Sequence, residues 1–322
     1  MVYRVSSFYK FVPLEAPADL RESILEAGQA CAVSGTILLA PEGINATIAA
    51  KVSNLDAFIA FLRSQEPFSD LEEKRSRASE LPFMRFKVRL KKEIVTIGEP
   101  AANPRKVVGK YVDPSDWNTL IEDPRVLLID ARNDYEVRIG QFKGAVDPQT
   151  ASFRDFPAWA RENLPPDTTQ PIAMYCTGGI RCEKASSLIR QMGYKQVYHL
   201  KGGILNYLEK VPSRKSRWEG SCFVFDGRVG LGHGLEESDY ALCHGCRQPL
   251  SAEDRLDPRY EEGVACPHCA DRLTEERGNR LRERHRQVLL ARQEGRQHLG
   301  SPEPDNPCTS HETDSPRQPQ EP

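Results

Sequence analysis

The sequence predicts a multidomain α/β protein in which an α+β domain is followed by a parallel-sheet domain and then a cysteine-rich segment. Three observations carry this reading. Apolar strands alternate with helical periodicity in two separate stretches, the periodicity lapses near residues 101–104, and two Cys-x-x-Cys pairs lie beyond residue 240. At 322 residues the chain is long enough for two or three domains, each with its own core. Lys+Arg 44 against Asp+Glu 46 leaves a net charge of −2, which excludes a globally basic nucleic-acid coat, so any polyanion must be met by a local patch. No apolar run approaches the ~18 residues that cross a bilayer, and the opening MVYRVSSFYKF lacks the apolar region of a secretory signal. We therefore expect a cytoplasmic protein with no membrane partner.

The elements follow in order. Strand-like Tyr3 to Lys10 leads to a helix entered at Pro17 and Asp19, then to strands over Val33 to Ala40 and Ile44 to Ala49. A second helix starts near Ser53 and carries Leu55, Phe58, Ile59 and Leu62 at helical spacing. Met84 to Leu90 reads as the next strand, continued at Ile94 to Ile97. The order βαββαβ predicts a ferredoxin-like α+β domain over residues 1–98. Pro41-Glu42-Gly43-Ile44-Asn45, between the two central strands, reads as a hairpin connection by its turn chemistry.

Residues 99–122 are expected to be a linker. From 123 to 217, buried-strand runs (Val126 to Asp130, Ile172 to Tyr175, Val197 to Leu200) alternate with helical stretches, the pattern of a parallel α/β sheet whose ligands sit at the carboxyl ends of its strands. Residues 218–299 hold the cysteine pairs and an Arg-rich helix from Thr274 to Arg296. The last stretch, 300–322, is rich in Pro, Ser and Glu with little to bury, and is expected to be disordered.

Strand Ile172 to Tyr175 ends in Cys176-Thr177-Gly178-Gly179-Ile180-Arg181, with a helix beginning behind it. Two glycines let backbone N–H groups turn inward, and the helix N-terminus adds its positive end, so the loop forms an anion cradle. A thiolate at its centre has a lowered pKa, and Arg181 adds a fixed cation. This makes Cys176 a candidate nucleophile with Arg181 as its partner, while Thr177, Gly178 and Gly179 are candidate substrate contacts. The alternative is a buried structural cysteine in a Gly-rich turn.

These residues, with Asp130-Ala131-Arg132, Glu136, Gly140, Gly144-Ala145 and Gly202-Gly203, resemble the rhodanese domain, whose loop cysteine carries a persulfide. Four residues between cysteine and arginine resemble a sulfurtransferase rather than the related phosphatase cradle, which has five. Gln141-Phe142 departs from the His-Ile that many rhodaneses place before Gly-Ala. The resemblance extends to Gly35-Thr36-Ile37, Pro41 to Asn45, Asp130 to Glu136 and Trp218-Glu219-Gly220-Ser221-Cys222-Phe223-Val224-Phe225-Asp226, which together look like the rhodanese-related tRNA uridine hydroxylases over roughly residues 1 to 290. Membership implies oxygen-dependent 5-hydroxylation of the wobble uridine in the anticodon region of tRNA, with the loop cysteine essential and molecular oxygen as co-substrate. Two rivals stand beside it: a sulfurtransferase delivering a Cys176 persulfide to a tRNA or protein acceptor, and a non-catalytic tRNA- or protein-binding module. With neither a dinucleotide fingerprint nor a 2-His-1-carboxylate constellation, the sequence identifies no electron source.

Alternation in Met84 to Lys92 places Arg85, Lys87, Arg89 and Lys91 on one strand face, and Phe86, Val88 and Leu90 on the other. That basic stripe is either a solvated face or a set of tRNA phosphate contacts, joined by Arg214, Lys215 and Arg217. Cys243, Cys246, Cys266 and Cys269, spaced Cys-x2-Cys-x19-Cys-x2-Cys, fit a closed four-thiolate Zn2+ site of structural rather than catalytic type. His244 and His268 are then outside the coordination shell. Cys182 is read as a packing residue or as a resolving thiol for Cys176. Cys31 and Cys222 are read as core, and Cys308 as incidental.

Overall fold

The computed structural model describes residues 2–294. The first domain is built from strand β1 (Tyr3–Phe11), helix α1 (Pro17–Ala30), β2 (Ser34–Ala40), β3 (Gly43–Ala50), α2 (Val52–Ser64), β4 (Glu73–Ala78) and β5 (Phe86–Leu90). These strands form one sheet in the order β4-β1-β3-β2-β5, antiparallel except where β5 runs parallel to β2. Both helices cover one sheet face over a core that includes Ile24, Ile37, Leu39, Ile44, Ile48, Phe58 and Leu62. Amphipathic spacing in α2 puts Leu55, Phe58, Ile59 and Leu62 on that buried stripe.

The sheet corrects the expected strand assignment. The strand that completes the βαββαβ unit beside β1 is β4, whose sequence EKRSRA carries no apolar alternation to announce it. Met84 to Leu90 supplies a fifth strand at the opposite edge, while residues 94–97 form no strand. Phe86 and Val88 pack against the helices as alternation predicts, but Leu90, at the strand's end, is 47% exposed.

The second domain is a four-stranded sheet, all parallel, in the order β6-β10-β9-β7: β6 (Lys110–Val112), β7 (Leu127–Asp130), β9 (Ile172–Tyr175) and β10 (Val197–Leu200). Strand β6 and helix α3 (Pro114–Ile121) lie within residues 99–122. Around the sheet are α4 (Asp134–Val137), β8 (Gly140–Phe142), α5 (Phe156–Asn163), α6 (Ile180–Gln191) and α7 (Gly203–Lys210). Side chains of α5 and α6 join one core cluster, and those of α3 and α7 another, so the sheet is covered on both faces, as its continuous apolar strands require. Beyond it, β11 (Trp218–Gly220) pairs with β8, and β12 (Cys222–Phe223) with β13 (Gly230–Leu231). A hairpin of β14 (Ala241–Leu242) and β15 (Pro249–Leu250) leads to α8 (Glu275–Gln293). The stretch 300–322 and Cys308 lie outside the described residues.

The two domains are clasped by buried charge. Lys184 on α6, 2% exposed, reaches Glu42 at 2.8 Å and Glu93 at 2.5 Å. Glu42 also accepts from the Ile94 N–H at 2.7 Å, and Asn45 Nδ2 donates to the Ile94 carbonyl at 2.9 Å. The segment Pro41 to Asn45 is thus a hairpin turn that also fastens the interdomain chain. Arg228, between β12 and β13, is forked onto Asp226 and donates to Ser76 Oγ at 2.7 Å, binding the segment that follows the parallel-sheet domain to β4.

Candidate active site

Strand β9 delivers Cys176 to the carboxyl edge of the parallel sheet. The chain then turns through Gly179 at φ +104°, a left-handed conformation open to glycine, and enters α6. Gly203, at φ +68°, packs so closely that a Cβ there would fall 2.4 Å from the Cys176 carbonyl oxygen. The first turn of α7 holds the loop from outside, Ile204 N donating to the Cys176 carbonyl at 3.0 Å and Leu205 N to the Thr177 carbonyl at 3.1 Å. With its carbonyls so engaged, the loop turns an amide inward: Gly179 N–H donates to Cys176 Sγ at 3.2 Å.

Cys176 is fully buried, and burial alone would oppose ionisation. The Cys182 thiol, the Arg181 charge and the backbone N–H groups of Cys182 and Gly179 outweigh it and pull the Cys176 pKa down to about 5. Burial and the neighbouring Cys176 sulfur push Cys182 well above the ordinary thiol range, so it stays the proton donor of the pair. Cys182 is packed at 0% exposure in the same core cluster as Cys176. Arg181 is not a free cation. It is bidentate to Glu136, at 2.6 and 2.8 Å, and reaches Thr177 Oγ1 at 3.2 Å, while Glu136 is itself set by a capping box with Asn133. Its charge supports the thiolate while its geometry fixes the loop.

The first domain, together with Tyr111 of β6, contributes groups that sequence reasoning did not find. Lys74 on β4 donates to the Gly178 carbonyl at 2.6 Å and lies 5.7 Å from the Tyr9 ring centroid. Tyr9 and Tyr111 both donate to Glu183, at 2.9 Å and at 2.7–2.8 Å. Burial raises Glu183 above the usual carboxylate range and lowers Lys74 to about 8, with Cys176 and Glu183 holding Lys74 from falling further. These partners stand 104 and 174 positions apart in the chain, so no local motif joins them.

A cavity of about 500 Å3 opens between the domains, with Cys176, Thr177, Gly178 and Arg181 on one wall and Tyr9, Thr36, Leu38, Asn45 and Lys74 on the other. Gly179 stands behind this lining, under the Tyr9 hydroxyl. The second wall is the helix-free face of the first sheet. In the β2–β5 register Lys87 is the partner of Thr36, and Arg89 of Leu38. Since paired residues point to the same face, the exposed stripe of Arg85, Lys87 and Arg89 continues the cavity wall along the sheet edge. The stripe thus lies on the same face of the first sheet that lines the cavity of Cys176.

Outside the lining of this cavity, the Sγ atoms of Cys243, Cys246, Cys266 and Cys269 all lie within 4.8 Å of one another, with neighbouring pairs at 3.7–3.9 Å. A tetrahedral Zn2+ with Zn–S bonds of about 2.3 Å separates its sulfurs by about 3.8 Å, so the four donors fit that ion in number, type and spacing. His244 is exposed and His268 Nε2 lies 3.3 Å from Asp254 rather than in the cluster. Helix α8 is fastened to the knuckles by Arg277, which donates to the Gly245 carbonyl at 2.8 Å, and by the Arg282–Glu261 fork.

Comparison with known proteins places a UPF0176 acylphosphatase-like domain at residues 3–94 and a rhodanese-like domain at residues 113–210. A protein of Agrobacterium fabrum named tRNA uridine(34) hydroxylase is 54% identical over 298 residues, covering 92% of this chain and 95% of that one. Proteins of the same name from Sinorhizobium medicae and Gluconobacter oxydans are each 54% identical, covering 93% and 92% of this chain and 95% and 96% of theirs.

Proposed function

The chain belongs to the tRNA uridine(34) hydroxylase family, and from that premise we propose that Cys176 is the sulfur at which uridine 34 of a tRNA is oxidised to 5-hydroxyuridine. The enzyme is a tRNA-modifying oxidoreductase. The observation that carries the residue assignment is the Cys176 sulfur itself, which lines the interdomain cavity with the Gly179 amide donating to it and the tethered Arg181 beside it, an arrangement that favours the thiolate. A thiolate in that position adds to C6 of the uracil ring, which makes C5 electron-rich toward an oxygen electrophile; leaving again with loss of the C5 proton restores the ring. Molecular oxygen is the co-substrate, one atom going to C5 and the other to water with two electrons from a separate donor. Lys74 and the loop amides face the charge that develops on the ring carbonyls.

The anticodon region reaches this site along Arg85, Lys87 and Arg89, whose place on the cavity-bearing sheet face supports phosphate contacts over a merely solvated edge. Zn2+ held by Cys243, Cys246, Cys266 and Cys269 orders the last domain and takes no part in the reaction. Turnover of purified protein with tRNA under isotopically labelled dioxygen tests the reading. The label is expected in the C5 hydroxyl of the wobble nucleoside, whereas a sulfur-containing product or label confined to water would overturn it.

A further inference from the structure

Phe225 is exposed where its neighbours are not. Its side chain is 61% accessible, while Val224, Asp226 and Arg228 on either side are 4%, 7% and 6% accessible. The backbone around it is fixed: Val224 N donates to the Val229 carbonyl at 2.9 Å, Val229 N to the Asp226 carbonyl at 3.2 Å, and the Asp226–Arg228 fork closes the turn. Phe223 supports the ring edge-on at a centroid distance of 5.2 Å and 89°. A rigid turn therefore holds a phenyl ring out into the cavity that contains Cys176. No other phenylalanine or tryptophan among the described residues is as exposed. Leaving that apolar area in water is unfavourable, and nothing in the fold of the described residues relieves it.

The ring also stands beside the catalytic loop. The Arg181 guanidinium carbon lies 5.9 Å from the Phe225 centroid, so the ring stands beside the same arginine that supports the Cys176 thiolate. Single-stranded RNA bases are recognised chiefly by stacking on such rings. Uridine 34, in an anticodon loop, needs no base pair broken to leave its neighbours. We propose that Phe225 is the positioning residue on which the uracil of the target nucleotide stacks, with the base held between this ring and the loop of Cys176. The proposal rests on the hydroxylase reading and adds to it the group that orients the base.

Stacking needs the π face rather than apolar bulk, which separates it from a hydrophobic plug. The test measures binding of the full chain and of its Phe225→Leu and Phe225→Tyr variants to an anticodon stem–loop with uridine at position 34, and to the same RNA lacking that base. Phe225→Leu is expected to weaken binding of the uridine RNA roughly 5- to 150-fold while binding the base-less RNA as the unmodified protein does, and Phe225→Tyr to retain the affinity for both. In turnover, Phe225→Leu raises KM more than it lowers kcat. Unchanged affinity in Phe225→Leu, or an equal loss on both RNAs, would overturn the assignment. Failure of the unmodified protein to hydroxylate the RNA would instead strike the proposed function and leave the binding comparison standing on its own.

Discussion

Replacing Cys182 with alanine removes the neighbouring thiol that helps to lower the Cys176 pKa and leaves Arg181 and the loop amides in place. A hydrogen bond to a charged group is worth about 1.5–3 kcal/mol, and one pKa unit corresponds to about 1.4 kcal/mol, so the loss amounts to roughly one to two units. From the starting value of about 5, the Cys176 midpoint should rise to between about 6 and 7. At neutral pH the unmodified protein then carries an almost fully ionised nucleophile, and the variant one that is only part ionised. The thiolate absorbance of each protein, followed against pH as a difference from its Cys176→Ser counterpart, isolates this one sulfur because the knuckle cysteines cancel. Two results would refute the reasoning. A midpoint in the ordinary thiol range for the unmodified protein would mean that the cradle does not offset burial, and a midpoint unmoved in Cys182→Ala would mean that Cys182 only packs.

Lys74 carries a lowered pKa of about 8 and Cys176 one of about 5, so kcat/KM should follow a bell that falls on the acid side as Cys176 protonates and on the alkaline side as Lys74 loses its charge. Lys74→Met should lower the plateau and abolish the alkaline limb; a limb that persists assigns it to another group. Joint charge reversal of Arg85, Lys87 and Arg89 should weaken tRNA binding and reduce the double-logarithmic salt slope by roughly one unit for each phosphate no longer neutralised, with thermal unfolding unchanged. An unaltered slope would make the stripe a solvated edge. Elemental analysis of protein purified without chelator should find one zinc per chain, and chelation should expose the segment beyond residue 240 to protease while the parallel-sheet domain resists. Protein without metal, or an equally resistant apo segment, would leave the four cysteines as packing groups.

Much of the architecture is legible because its elements carry their own periodicity. The core stripe of α2 and the largely apolar runs of β7, β9 and β10 are local patterns that tertiary structure did not override. Strand β4 is invisible for the opposite reason: Glu73-Lys74-Arg75-Ser76-Arg77 has no apolar face, since one side points into the interdomain cavity and the other pairs with charges such as Asp56. That strand carries Lys74, so the same polarity that hides the element hides a group of the site. The Cys176 loop is legible because strand, glycines and helix are contiguous, whereas the Arg181–Glu136 pair and the Tyr9–Glu183 bond join distant segments. Glu42 reads as a turn residue in the sequence, and its bond to Lys184 becomes visible only when α6 is docked.

The central claim, that the Cys176 sulfur in this cradle carries out the hydroxylation of uridine 34, is tested most directly by mass spectrometry of wobble nucleosides. The comparison uses cells lacking this protein, supplied with either the unmodified chain or Cys176→Ser at equal abundance. The oxygen of serine can neither ionise at neutral pH nor replace sulfur as nucleophile, so the account predicts 5-hydroxyuridine-derived nucleosides restored by the first chain and absent with the second. Restoration of the modified nucleoside by a folded Cys176→Ser protein would contradict it.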